Sequence, residues 1–126
     1  MIDVMIPSEA RIFHIDDSEF ARIKVAEAAN NIGAIVVANA DSFEEAKEVI
    51  KILEELGVNV VLTDENLSPD RPYEGRYIYD IVRAANPEVH ILSVSGSVGM
   101  SRDLRIPHVP DKGVDPTMLK AAIEAL

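Results

Sequence analysis

The chain has 126 residues, no cysteine and no tryptophan, which fits one domain with a core of its own and excludes disulfides, thiolate catalysis, thiolate zinc sites and iron–sulfur clusters. Twelve basic against 22 acidic residues give a net charge of −10, a poor surface for holding nucleic acid, whose phosphates need a basic face. No apolar stretch approaches a membrane span, and residues 1–10 carry Asp3 and Glu9 without a basic residue, so no signal peptide is expected and the cytoplasm is the default location.

In chain order, residues 11–15 read as a first strand closed by Asp16-Asp17. Ser18 can cap a helix whose apolar face is Ala21, Val25, Ala28, Ala29 and Ile32, and Gly33 ends it. Residues 35–38 form a second strand. Ser42 and Glu45 have capping-box spacing and announce a helix with the stripe Ala46, Val49, Ile50 and Leu53, closed by Gly57. Residues 58–62 make a third strand ending at Thr63-Asp64, and a polar loop with Pro69 and Pro72 follows. A third helix runs through Ile78, Ile81, Val82 and Ala85 and stops before Asn86-Pro87. Residues 90–94 are a fourth strand, followed by Ser95-Gly96-Ser97. Residues 98–105 contain Gly99 and few apolar side chains, so a helix there is short or unwound. His108-Val109 is a weak fifth strand. Asp115 as cap and Pro116 at the first helical position open a last helix with the stripe Met118, Leu119, Ala122, Ile123 and Leu126.

Near-continuous apolar strands alternating with helices imply an α/β fold, a five-stranded parallel sheet covered on both faces. Ligands of such sheets bind beyond the carboxyl ends of the strands, where strand order reverses. Asp16 and Asp17 follow the first strand, Asp64 the third, Ser95 the fourth and Lys112 the fifth. In a flavodoxin-like (βα)5 order, 2-1-3-4-5, strands one and three are neighbours. The three aspartates then converge on one pocket, with Ser95 and Lys112 on its far side. Clustered carboxylates repel one another, and an oxygen-rich site of this kind suits Mg²⁺. A hydroxyl and an ammonium facing it complete a cage for a phosphoryl group, and an aspartate can be the nucleophile that accepts one.

These residues in this order resemble the receiver domain of two-component response regulators. The matching stretches are Phe13-His14-Ile15-Asp16-Asp17, Val60-Val61-Leu62-Thr63-Asp64, Ile91-Leu92-Ser93-Val94-Ser95-Gly96, and Lys112 before Asp115-Pro116. The resemblance covers residues 11–126 and implies a single receiver domain over 1–126, expected either to stand without a further domain or to be excised from a larger protein. It implies that Asp64 is the phosphoacceptor, that Asp17 binds Mg²⁺ directly and Asp16 mainly through water, and that the Asn66 carbonyl completes the metal ligands. Ser95 takes the switch-hydroxyl role and Lys112 bonds the phosphoryl group. The implied donor is a sensor histidine kinase or a phosphotransfer protein, and the implied output is a downstream protein, with neither nucleic acid nor membrane bound directly. A monomer or weak homodimer is expected. The chain is then a phosphorelay signalling domain and not an enzyme, with at most self-phosphorylation and dephosphorylation of its own.

The sequence departs from the family pattern in places. Ser68 stands where proline is usual and Pro69 comes next. The loop runs on to Gly75, longer than usual, and the stretch from Ser95 to Lys112 is shorter than usual. Gly113 follows Lys112 where proline is common, and Val109 falls on the aromatic switch position of the fifth strand. The departures point to ordering of residues 97–105 and 66–74 as the response to phosphorylation. They also keep open the alternative of a pseudo-receiver, a protein-interaction module that keeps the fold without phosphorylation. An aspartyl phosphatase would carry Asp-x-Asp after the first strand, whereas this chain has Asp16-Asp17-Ser18. Ser95-Gly96-Ser97-Val98-Gly99 completes no glycine fingerprint for nucleotides. His14, His90 and His108 lack metal-ligand spacing, and His14 and His90, which lie in strands, read as core or sheet-edge residues. Tyr73, Tyr77 and Tyr79 form either a partner patch or helix packing.

Overall fold

The structure, a computed structural model, describes residues 5–65, 74–94, 99–109 and 115–126. Five parallel strands lie in the order β2-β1-β3-β4-β5: β1 (Arg11–Ile15), β2 (Ile35–Ala40), β3 (Val60–Thr63), β4 (His90–Val94) and β5 (His108–Val109). Between them run α1 (Glu19–Asn31), α2 (Phe43–Ile50), α3 (Leu53–Leu56), α4 (Glu74–Ala85) and α5 (Gly99–Leu104), and α6 (Pro116–Glu124) closes the chain. A 3₁₀ turn at Pro7–Glu9, with proline in its first turn, precedes β1; no element was expected there.

Alternation along the strands divides the core. Ile12, Leu62, Leu92, Val94 and Val109 face one side, where α1 supplies Val25, Ala28 and Ala29 and α6 supplies Leu119, Ala122 and Ile123. Phe13, Ile15, Val61 and Ile91 face the other, covered by Ala46 and Ile50 of α2, Leu53 of α3, and Ile78 and Val82 of α4. Each fully buried Ile, Leu or Phe contributes roughly 1.5–3 kcal/mol, so the two layers supply the drive that flattens the chain into this sandwich.

The expected caps form. Ser18 Oγ accepts from Ala21 N at 3.2 Å, Ser42 Oγ from Glu45 N at 3.2 Å, and Asp115 Oδ1 from Thr117 N at 2.8 Å. Gly33 and Gly57 take the left-handed conformation that ends their helices, at φ 84° and 70°.

Two expectations need correcting. The second helix is not continuous: it breaks after Ile50, and Ile52 N donates to Val49 O at 2.9 Å, a tightened i→i−3 turn. In such a turn residues three apart eclipse, which sets Leu53 on the same buried face as Ile50; the apolar stripe reads alike for either geometry. Met118 does not join the core. It stands 46 % exposed at the margin of α6, beside a shallow groove it shares with Pro107, His108, Ala121, Ala122 and Ala125. The helix between β4 and β5 is short as expected, six residues with Met100 and Ser101 buried.

Candidate functional site at the carboxyl ends of β1 and β3

The chain leaves β1 over one face of the sheet to reach β2, then returns past β1 to β3, so the carboxyl ends of β1 and β3 flank the point where strand order reverses. The pairing register shifts between Ile12 and Phe13, making Val37 an extra residue in β2. Beyond that bulge Ile15 pairs with Ala40, and Asp16 N donates to Ala40 O at 3.0 Å. Across the crevice Asp64 N donates to Ile15 O at 3.1 Å. Both aspartates thus continue the ladders at their first residue beyond the strands, which fixes their backbones before any ligand arrives.

The start of α1 fixes Asp16 further. Its Oδ1 accepts from Ser18 N at 2.9 Å, and its carbonyl accepts from Arg22 Nη1 at 2.7 Å, one turn into the helix. His14, fully buried on β1, puts Nε2 3.8 Å from Asp16 Oδ2. Asp17 is exposed, while Asp64 is only 2 % exposed. One oxygen from each of Asp16, Asp17 and Asp64 lies within 4.8 Å of the other two. The convergence read from the sequence is therefore present.

The donor set fits a hard dication. All three groups are carboxylates, two of them buried, and their oxygens can close on one ion with small side-chain rotations, because ligands of Mg²⁺ at about 2.1 Å stand roughly 3–4 Å apart. An imidazole or thiolate, which would favour a softer metal, is not among the three donors.

The loop after Asp64 is held from α4. Gly75 N donates to Glu65 O at 3.0 Å. A Cβ at position 75 would collide with Asp64 O and come within 2.8 Å of Glu65 Cα, so only glycine lets the helix approach the Asp64–Glu65 backbone this closely. Thr63 Oγ1 donates to Asp64 O at 3.1 Å. Arg76 reaches Glu65 Oε1 at 3.3 Å and Asp103 Oδ2 of α5 at 2.8 Å. The bond to Asp103 first, and that to Glu65 after it, raise the guanidinium above its ordinary value against the opposing effect of burial.

Asn66, Ser95 and Lys112, expected around the same pocket, lie outside the described residues, as do residues 66–73, Tyr73 among them, and 97–98 of the two segments expected to order. Val109 is buried on the α1 and α6 side. The ring at this level of β5 that meets β4 is His108, with Nδ1 3.2 Å from Ser93 Oγ. Of the tyrosines, Tyr79 packs on the core beneath Arg83, while Tyr77 is exposed and meets Phe43 edge-on at 6.4 Å. Glu65 and Arg76 escaped sequence reasoning; a buried glutamate beside Asp64 had no cue in spacing or pattern.

No protein-family model and no curated protein sequence matches the chain. Solved structures do. The response regulator RcsB of Salmonella typhimurium aligns over 92 % of this chain with 20 % identity and a TM-score of 0.72. The fold is that of a receiver domain. The receiver (REC) domain of the PhyR response regulator from Erythrobacter litoralis covers 92 % of the chain at 14 % identity and a TM-score of 0.70. PhyR of Bartonella quintana, named an anti-anti-sigma factor, covers 90 % at 17 % identity and 0.71. The receiver-fold chain spans 58 % of the RcsB chain and 45 % of the Bartonella PhyR chain, but 88 % of the isolated Erythrobacter domain. Among the described residues no helix is long and apolar enough to cross a membrane.

Proposed function

We propose that the chain is a phosphoacceptor receiver: Asp64 takes a phosphoryl group from a histidine kinase or phosphotransfer protein, and the phosphorylated form is read by a protein partner. The observation that carries this reading is the meeting of Asp16, Asp17 and Asp64 at the switch point of a receiver fold. An Asp64 carboxylate oxygen attacks phosphorus, the phosphorus–nitrogen bond of the donor's phosphohistidine breaks, and its electron pair stays on the imidazole, which takes up a proton. Asp16, Asp17 and Asp64, with the Asn66 carbonyl, would hold Mg²⁺, which when bound supplies neutralisation of the carboxylates and of the phosphoryl oxygens. This chain's own part is positioning: the ladder bonds to Asp16 N and Asp64 N and the close approach of Gly75 hold the carboxylates before the donor arrives. Ser95 and Lys112 complete the proposed cage for the phosphoryl group. The reading carries with it a cytoplasmic location and an output through protein contacts, as the charge of −10 disfavours direct contact with nucleic acid.

Beryllofluoride, which mimics the phosphoryl group on a carboxylate, tests the reading. Fluorine NMR of the chain with Mg²⁺, beryllium and fluoride is expected to show bound resonances that vanish in Asp64→Asn. A pseudo-receiver gives none.

A further inference from the structure

One side chain joins the residue after Asp64 to α5. Arg76 stands in the first turn of α4. Its Nη2 donates to Glu65 Oε1 at 3.3 Å and its Nη1 to Asp103 Oδ2 at 2.8 Å. Glu65 is 7 % exposed at its side chain and Asp103 58 %. Glu65 is thereby held twice from the start of α4: Gly75 N binds its carbonyl and Arg76 its carboxylate. The planar guanidinium carries five donors in a fixed fork, so it can serve carboxylates on two different elements at once. An ammonium on a flexible stem holds no such pair of directions.

The two halves of the tie differ in strength. An exposed ion pair such as Arg76–Asp103, taken alone, adds little. Glu65 is different, because it is buried beside Asp64 and screened little by solvent or salt. A change of charge at the aspartate cluster is therefore felt at Glu65, and through it by the guanidinium. We propose that Arg76 is a positioning residue that couples the acidic site to α5: the charge state around Asp64 sets how firmly Arg76 holds Asp103, and α5 in turn steadies Glu65. The tie itself follows from the contacts; its role in signalling rests on the reading of the cluster as the reactive site.

Coupling of this kind is reciprocal, which gives two independent measurements on the full chain. The first is amide exchange in metal-free buffer. Arg76→Met is expected to speed exchange across residues 100–104 several-fold. Glu65→Gln is expected to speed it too, and to add nothing in the Arg76→Met background. Arg76→Lys, which keeps the charge and the fold but not the fork, falls between. Exchange in α5 that ignores Glu65→Gln, or that adds the two effects independently, overturns the tie and leaves an ordinary surface pair. The second is Mg²⁺ titration. Asp103→Asn removes no proposed ligand, yet is expected to shift the Mg²⁺ dissociation constant by about two- to fivefold, the size typical of coupling between contacting groups, and to leave it unmoved in Arg76→Met. Parent-like affinity in Asp103→Asn contradicts the coupling. Absence of Mg²⁺ binding in every variant, the parent included, refutes the metal site instead, and the exchange result then decides the tie by itself.

Discussion

The carboxyl ends of β1 and β3 and those of β4 and β5 lie along one edge of the same sheet, but they are built differently. At β1 and β3 the first described residues past the strands are tied down: Asp16 and Asp64 continue the ladders, Ser18 N and Arg22 bind Asp16, and Gly75 presses on Asp64 and Glu65. At β4 and β5 the strand pairing is down to two residue pairs, the intervening helix has six residues, and Arg105 leaves it in the left-handed region at φ 56° without being glycine. Among the described residues, hydrogen bonds to the backbones of Asp16, Asp64 and Glu65 bring the carboxylates together, while toward the edge of the sheet Arg105 takes a left-handed conformation. Arg76 is the described side chain that hydrogen-bonds to both regions, at Glu65 and at Asp103.

The hardest blow to the β1–β3 side is at Gly75. Gly75→Val must either push α4 off the sheet or displace the Asp64–Glu65 backbone, since its Cβ would overlap Asp64 O. A loss of about 2–4 kcal/mol in urea unfolding is expected, together with loss of metal binding, because over-packing against backbone relaxes poorly. Unchanged stability would mean that the helix stands further from the Asp64–Glu65 backbone than this structure has it.

Mg²⁺ is the next lever, and it sharpens the contrast by acting on one side alone. Present at about ten times its dissociation constant, the ion is expected to stabilise the parent by roughly 1.4 kcal/mol, because it binds a cluster that exists only in the folded chain. Asp17→Ala should remove most of that gain while leaving metal-free stability close to the parent's, as Asp17 is exposed. A thermal shift with Mg²⁺ equal in both proteins would show that the ion binds elsewhere.

The smallest effect belongs to the β4–β5 side. Arg105→Gly relieves a left-handed conformation that side chains disfavour, against the greater freedom glycine gives the unfolded chain. A gain of about 0.5 kcal/mol in stability by urea unfolding is expected, with Mg²⁺ affinity untouched. Destabilisation would show that Arg105 makes contacts worth more than its strain.

Legibility in the sequence divides along the same line. The strands and their closing aspartates were legible because the apolar runs of β1 and β3 stop at Asp16-Asp17 and at Thr63-Asp64, and a parallel order then brings Asp16, Asp17 and Asp64 together without further information. Caps at Ser18, Ser42 and Asp115 were legible because their partners lie within three residues. The break between α2 and α3 was not, since Ile50 and Leu53 share a face in either helix geometry. Nor was the exposure of Met118, which falls on the periodic stripe of α6 while the cover of that face reaches only Leu119, Ala122 and Ile123. The tie from Glu65 through Arg76 to Asp103 was the least legible: it joins residues up to 38 positions apart by charge alone, and 22 acidic side chains offer many equivalent pairings. The position read as the fifth strand's aromatic switch holds Val109, which cannot swing as an aromatic lever and is buried. In a strand of two residues a shift of one position changes the face, and the structure turns His108, not Val109, toward Ser93.

Whether Asp64 is a phosphoacceptor in a preorganised acidic site is decided by intact-mass measurement after incubation with acetyl phosphate and Mg²⁺. One added phosphate per chain is expected, removed by alkali as an acyl phosphate should be, dependent on Mg²⁺, and absent from Asp64→Asn. A chain that stays unlabelled while remaining folded, or a label that persists in Asp64→Asn, would contradict the assignment.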